Sequence, residues 1–457
     1  MNCKNFLIPF LIVYGSAASL LAQQPQQTTP DSQPAQLHRP AEWHHGSAAD
    51  LSPFASLAEL SPEALVQEVL ARNPSLVQMT AAWQAATARY PQVTSLEDPM
   101  FGAYMGPASI GSRDVDFAYR LEVSQKIPFP GKRGLRGQNA LAEAGAAGNE
   151  VEDMRLQLVE SARLAFADYY LVFRAKEVNE EGLRLLQELR KSAEQRFRAG
   201  QVPQQDVLQA DVEIGRQRER LLVLERLRRV SVARINTLMH LPPDLPLPAA
   251  PKEIRTGDAP PDAATLRELA LARRPDLQAL NNRIMAEQAA LTLARKEVCP
   301  DFEVMAAYDA FWQTEEKDLR PQIGVKLNLP IYKGRRYGAI SEAEGRLLQR
   351  RAELDRQIDQ VNFDVQQAFE QVRESEQTVA LYQKTILPAA NENVKGAQAA
   401  YTAAKVPFLT LSEAQRNAVM LRDRYFEAIA EHYRRLATLE RVIGGPLDAM
   451  PGQCPAP

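Results

Sequence analysis

Cysteine and histidine are nearly missing from this chain, with three and five residues among 457. That scarcity leaves no disulfide framework and no cysteine–histidine cluster spaced for a structural metal. Aromatic residues make up only 7%, too few for a large globular core. Ala, Gln, Arg, Glu and Leu abound instead, a composition of long helices. The net charge of −3 gives no bulk support to a nucleic-acid partner. No phosphate-cradling glycine loop appears, and His240 and His432 stand alone near helix ends. The convergent set of groups that an enzyme needs is absent, and no cofactor is expected.

Long uncharged runs are also lacking. The apolar stretch Phe6–Tyr14 is too short to span a bilayer as a helix. With Lys4 before it and the small residues of Gly15–Ala22 after it, residues 1–22 read as a secretory signal. Gln23 stands where a lipoprotein would carry its acylated cysteine. Cleavage near Ala22 removes Cys3 and leaves Cys299 and Cys454. An exported chain with no apolar helix enters a membrane only as a β-barrel, which in a bacterium means the outer membrane.

Residues 23–58, rich in Gln, Pro, Ser, Thr and Ala, read as a flexible tail carrying His38, His44 and His45. Order begins at Ser61-Pro62, an N-cap followed by proline at the first helical position. Two helices are expected, one to about Leu70 and a second to about Tyr90, then strands over about 99–106 and 115–127. The chain is organised around Val115–Arg136. Val115, Phe117, Tyr119, Leu121 and Val123 alternate with polar or small residues, so one strand face is apolar and the other wet. Pro128, Pro130 and Gly131 stop that strand, and a basic collar of Lys132, Arg133 and Arg136 opens a helical pattern. Alone, the stretch fits a half-buried soluble strand as well as a barrel strand.

Arg133–Phe197 contains no proline, and at ~1.5 Å per residue it makes a rod of about 97 Å, too long for a globular domain. After the turn Ala199–Pro203, a return helix runs from Gln204 to about His240, and Leu241–Pro261 is a proline-rich connector. The pattern then recurs. Arg72-Asn73-Pro74 matches Arg273-Arg274-Pro275, Ile127-Pro128 matches Leu329-Pro330, Arg133 matches Arg335, Phe166 matches Phe369, and Val202-Pro203 matches Val406-Pro407. Each landmark returns about 200 residues later with a drift of a few residues, the mark of an internal duplication. The first repeat covers residues 59–240, the connector 241–261, the second repeat 262–446 and a C-terminal tail 447–457. Strands at about 300–311 and 321–331 precede a second collar of Lys333, Arg335 and Arg336. The second long helix carries Leu347, Leu354, Ile358, Val361, Val365, Ala368 and Val372 at coiled-coil spacing. Pro388 is expected to kink or restart it.

Four amphipathic strands per chain cannot close a barrel, since transmembrane barrels begin at about eight strands. An open sheet in lipid leaves unpaired edges, so closure takes several chains. A dimer would supply eight strands and a trimer twelve, and of the two only twelve leave a lumen. Helices of this length would continue that lumen as an α-helical conduit. The collars read either as anchors at the membrane–water boundary or as solvated first-turn charges.

The duplicated helix–strand–strand–long helix unit, Arg72-Asn73-Pro74 with its counterpart, and the tip Phe197–Ala210 together resemble the TolC family of outer-membrane efflux proteins. The resemblance covers Ser61 to Pro446 and implies a mainly α fold with a small membrane β-barrel portion. It implies a homotrimer with a twelve-stranded barrel in the outer membrane, continued by an α-helical periplasmic tunnel. It also implies a passive exit duct whose partners are a periplasmic adaptor and an inner-membrane pump. The adaptor-contacting tips would be Gly200, Val202 and Pro203, with Ala404, Val406 and Pro407 in the second repeat. Here Ala404 replaces the family's glycine. Asp206 and Glu413 match acidic positions that line the periplasmic gate in relatives, while Thr410 stands where a further acid is often found. Helix N-terminal carboxylates favoured by the macrodipole would look the same. The Ile-Pro-Phe-Pro-Gly-Lys-Arg collar is similar to that of heavy-metal efflux members, which points to metal cations as cargo. Other readings are the duct of a type I protein secretion system and, in a different class, a periplasmic coiled-coil adaptor.

Overall fold

The structure, a computed structural model, describes residues 53–54, 57–111, 117–254, 260–311, 320–403 and 405–447. The expected signal sequence, most of the tail with its three histidines, Val115, Asp116, Ala404, Cys454 and residues 448–457 lie outside the described residues. Ser61 caps helix α1 (Pro62–Arg72), its hydroxyl accepting from the Ala64 N–H at 3.1 Å. Asn73 then caps α2 (Pro74–Thr94), which continues through Pro91 beyond the expected end at Tyr90. Strands β1 (Met100–Met105) and β2 (Tyr119–Ile127) follow. Gly131 turns the chain into α3 (Lys132–Arg198) at φ +89°, a left-handed conformation that suits glycine. The 67 residues of α3 span ~100 Å. Helix α4 (Gln204–Leu238) runs back along it.

The second repeat supplies α5 (Ala263–Arg273), α6 (Pro275–Lys296), β3 (Phe302–Asp309), β4 (Pro321–Leu327) and α7 (Lys333–Leu381). At Pro388 the α-helix restarts, as expected. A π-helical turn over Tyr382–Ile386, in which the Leu387 N–H bonds the Tyr382 carbonyl five residues back, leads directly into α8 (Leu387–Thr402). The wider turn takes up the proline ring and its missing donor. Helix α9 (Phe408–Val442) closes the chain.

Packing makes the duplication physical. In the first core Leu65 and Val69 of α1 meet Leu158, Ala162, Ala165 and Tyr169 of α3, with Ile235 of α4. In the second, Leu266 and Ala270 of α5 meet Val361, Val365, Ala368 and Val372 of α7, with Leu439 of α9. These positions correspond one for one across the repeats. Polar anchors correspond as well. The Asn73 amide donates to the Leu238 carbonyl at 2.9 Å, and Arg274 donates to the equivalent Val442 carbonyl at 3.3 Å. Different side chains thus satisfy the same orphan carbonyl at the end of each return helix.

Candidate functional site

The four strands form a single antiparallel sheet in the order β1-β2-β3-β4, with β2 and β3 joining the two repeats. Its register places Phe101, Val123, Ala306 and Ile323 in one cross-strand row, and Ile127, Phe302 and Leu327 in another. All of these lie on one face, because side chains alternate along each strand. That face is open: Phe101 is 69% exposed, Ile323 88% and Val325 63%. The opposite face carries the charges. Arg120 bonds Glu122 at 2.9 Å and Asp309 at 3.3 Å, and Lys326 reaches Glu122 at 3.3 Å. A sheet in water buries its apolar face and wets its polar one. Here the apolar face is left uncovered, and the ion pairs gather on the other face. Tyr119 stacks between Phe117 and Tyr308 at 5.7 and 6.0 Å, marking an aromatic end of the sheet. No strand among the described residues pairs with the outer edge of β1 or β4.

At the other end the basic collars divide. Lys132 is not at the surface: its side chain is 0% exposed. Its ammonium donates to Asp301 at 2.9 Å, Glu297 at 3.2 Å and the Cys299 carbonyl at 3.0 Å. The end of α6 and the start of β3 fold over the first turn of α3, so the lysine ties the two repeats together. This corrects the expectation of a solvent-facing collar residue at that position. Burial works against the Asp301 carboxylate, but bonds from the Phe129 N–H and Lys132 outweigh it and hold its pKa below the ordinary value. Arg133 is half-buried and donates to the Thr94 carbonyl at 2.7 Å, while Arg336 donates to the Glu297 carbonyl at 3.1 Å. Arg336, rather than Arg335, is therefore the structural counterpart of Arg133. Arg136 is half-buried, and Lys333 and Arg335 are exposed.

The far ends of the long helices form the second locus. Gly200 turns the first hairpin at φ +68°, and Pro203 and Pro407 occupy the N-caps of α4 and α9. Val202 and Val406 are half-buried across a groove from each other, and Pro203 and Pro407 are exposed. Two residues that sequence reasoning passed over hold these tips together. The Arg196 guanidinium lies 5.1 Å from the Tyr401 ring centre and donates to the Tyr401 and Thr402 carbonyls at 3.0 and 3.1 Å. Tyr401, only 5% exposed, donates its hydroxyl to Asp206 at 3.4 Å and packs edge-on against Phe408. The available signal was the repeat itself, since Tyr401 is the counterpart of Phe197. Asp206 thus touches the other hairpin, whereas Glu413 is exposed on α9.

Burial raises the Asp206 carboxyl above its ordinary 3.8, and the Tyr401 hydrogen bond offsets only part of that. A raised folded-state pKa means the folded tip takes up its proton before the unfolded chain does. Tip stability therefore increases as pH falls through the raised value and levels off below the ordinary one. Amide exchange of residues 196–210, corrected for intrinsic rates, should slow as pH falls toward the ordinary 3.8 of the carboxyl. Asp206→Asn should hold the acid-side protection at every pH; a variant that keeps the wild-type profile would refute this.

The sequence profile of the outer membrane efflux proteins matches residues 65–239 and 266–445, one copy on each repeat. The chain belongs to this family. Among curated relatives of this outer membrane efflux protein is the cobalt-zinc-cadmium resistance protein CzcC of Cupriavidus metallidurans, 27% identical over 188 residues. That match covers 40% of the chain and spans less than half, 43%, of the relative's length. Among solved structures, CusC aligns with a TM-score of 0.72 at 17% identity, over 85% of this chain and 92% of its own. VceC of Vibrio cholerae aligns at 0.71 and 18%, over 84% and 96%. The outer-membrane channel OprN aligns at 0.68 and 19%, over 88% and 96%. At these identities the structural likeness concerns the fold: a small strand region set on a long helical body.

Proposed function

We propose that the protein is the outer-membrane duct of a tripartite efflux system, a passive exit for cargo delivered by an inner-membrane pump through a periplasmic adaptor. One observation supports this reading: a sheet with an uncovered apolar face and, among the described residues, no strand on either edge, set on helices of ~100 Å. Three copies would join β1 to β4 edges into twelve strands, satisfying every ladder. On this reading residues 1–22 are removed on export. Arg133, Arg136, Lys333, Arg335 and Arg336 lie near the inner membrane–water boundary, and Lys132 acts inside it as a tie. The tips at Gly200, Val202 and Pro203, with Ala404, Val406 and Pro407, meet the adaptor. Asp206 and Glu413 line the entrance, and the Arg196–Tyr401–Asp206 contacts keep it narrow. Similarity to a cobalt-zinc-cadmium resistance protein supports metal cations as cargo.

The duct reading is tested by fractionation and conductance. The protein should co-purify with outer membrane, migrate anomalously in detergent until heated, and form cation-selective channels in planar bilayers. Release with the periplasm on osmotic shock would favour the coiled-coil adaptor instead. Replacing Asp206 and Glu413 together with alanine should lower cation selectivity and raise conductance; unchanged values of both would remove them from the gate.

A further inference from the structure

Between the two hairpins, α3–α4 on one side and α8–α9 on the other, lies a cavity of about 360 Å³ that none of the preceding roles uses. It sits where α3 passes α9 at Gly182, whose missing side chain matters: a Cβ there would stand 3.0 Å from Val419 Cγ2. Beside this close approach the helices part. The floor is apolar, formed by Leu185, Leu186, Val394, Ala418 and Val419. The rim carries three cations, Lys395, Arg416 and Arg422, against a single carboxylate, Glu213.

That carboxylate is already committed. Glu213 is 5% exposed and is bonded by Arg216 at 2.9 Å and Arg416 at 3.4 Å. The other rim cations have looser partners. Lys395 pairs with Glu392 at 2.8 Å and Arg422 with Glu181 at 3.1 Å, and all four side chains are solvent-exposed. Such exposed pairs contribute ~0–1 kcal/mol, so either cation can turn to a ligand at little cost. An apolar floor edged by two loosely paired cations suits an amphipathic anion, and the volume, within the usual ~300–1,000 Å³ of ligand sites, suits a compact ring body.

We propose that this inter-hairpin cavity binds a small amphipathic organic anion, its ring system on the Leu186–Val394–Ala418 floor and its carboxylate or sulfonate between Lys395 and Arg422. Because the walls come from both hairpins, an occupant ties one to the other. The site stands independently of the duct reading.

Calorimetric titration of the full-length protein in a neutral detergent with 1-naphthalenesulfonate tests it. Saturable binding with one site per chain is expected, weakened about tenfold or more by Lys395→Glu with Arg422→Glu, and likewise by Ala418→Trp, which fills the floor. 1-Naphthylmethylammonium should bind at least about tenfold more weakly than the sulfonate. The charge reversals lie at exposed positions and leave folding intact, so they decide the matter if Ala418→Trp perturbs the helices. Absence of saturable binding overturns the proposal. So does binding that both variants leave unchanged, or a preference for the ammonium probe.

Discussion

Lys132→Ala is expected to lower unfolding stability by ~2–4 kcal/mol, although no sequence pattern marks this lysine as different from its basic neighbours. The side chain is wholly buried, and its three donors are all used, on Asp301, Glu297 and the Cys299 carbonyl. Truncation removes the ammonium that donates to a sheltered carbonyl and faces two carboxylates. The carboxylates are partly hydrated, which keeps the cost below that of a fully buried broken pair. Lys132→Met separates packing from charge: it refills the volume, so a loss nearly as large as that of alanine assigns the effect to the ammonium. The pH dependence has a defined sign. With its folded-state pKa depressed, Asp301 contributes stability that is fully present above the ordinary 3.8 and lost as pH falls through the lowered value. In Lys132→Ala that acid-labile component should shrink. Urea midpoints of wild type and variant that coincide at neutral pH would show the tie to be inconsequential.

Ile323→Lys is expected to abolish stable assembly in the outer membrane. Ile323 is the most exposed large apolar side chain of the sheet, 88% open and in a row with Phe101, Val123 and Ala306. On a lipid-facing surface a lysine near the bilayer centre costs ~2–4 kcal/mol, and in a symmetric trimer that cost is incurred at three places at once. The neighbouring Gln322→Lys is the control, since it lies on the polar face beside Glu122 and Ala307. Heat-modifiable protein in the outer-membrane fraction should vanish for the first variant and persist for the second. Equal abundance of the two would mean that the apolar face does not meet lipid. On a water-exposed sheet the same lysine would instead improve solubility.

Much of the architecture is legible in the sequence. The two-residue period of Tyr119–Val123, the proline-free run of α3, the Ser61-Pro62 cap and the proline-marked tips are local signals, each read within a few residues. The duplication extended them, because a repeat makes one half a check on the other. Boundaries shifted by a few residues, as at Pro91. At Pro388 the helix restarts as the proline suggested, after a π-turn that no local signal marked.

The sequence by itself determined the element types, the repeat and the amphipathic strands, since these follow from backbone chemistry and from side-chain spacing along one segment. Only the tertiary structure decided which of several similar residues is buried and what it holds. Lys132 and Arg133 are neighbours in the same collar, yet one reaches Asp301 and the other Thr94. Arg196 and Tyr401 look like ordinary helix-end residues until two hairpins from different halves of the chain bring them together. A single residue's type does not encode its distant partner; the packing of two long rods in register does. The same packing left the apolar face of the sheet uncovered, and the proposed assembly of several chains rests on that face.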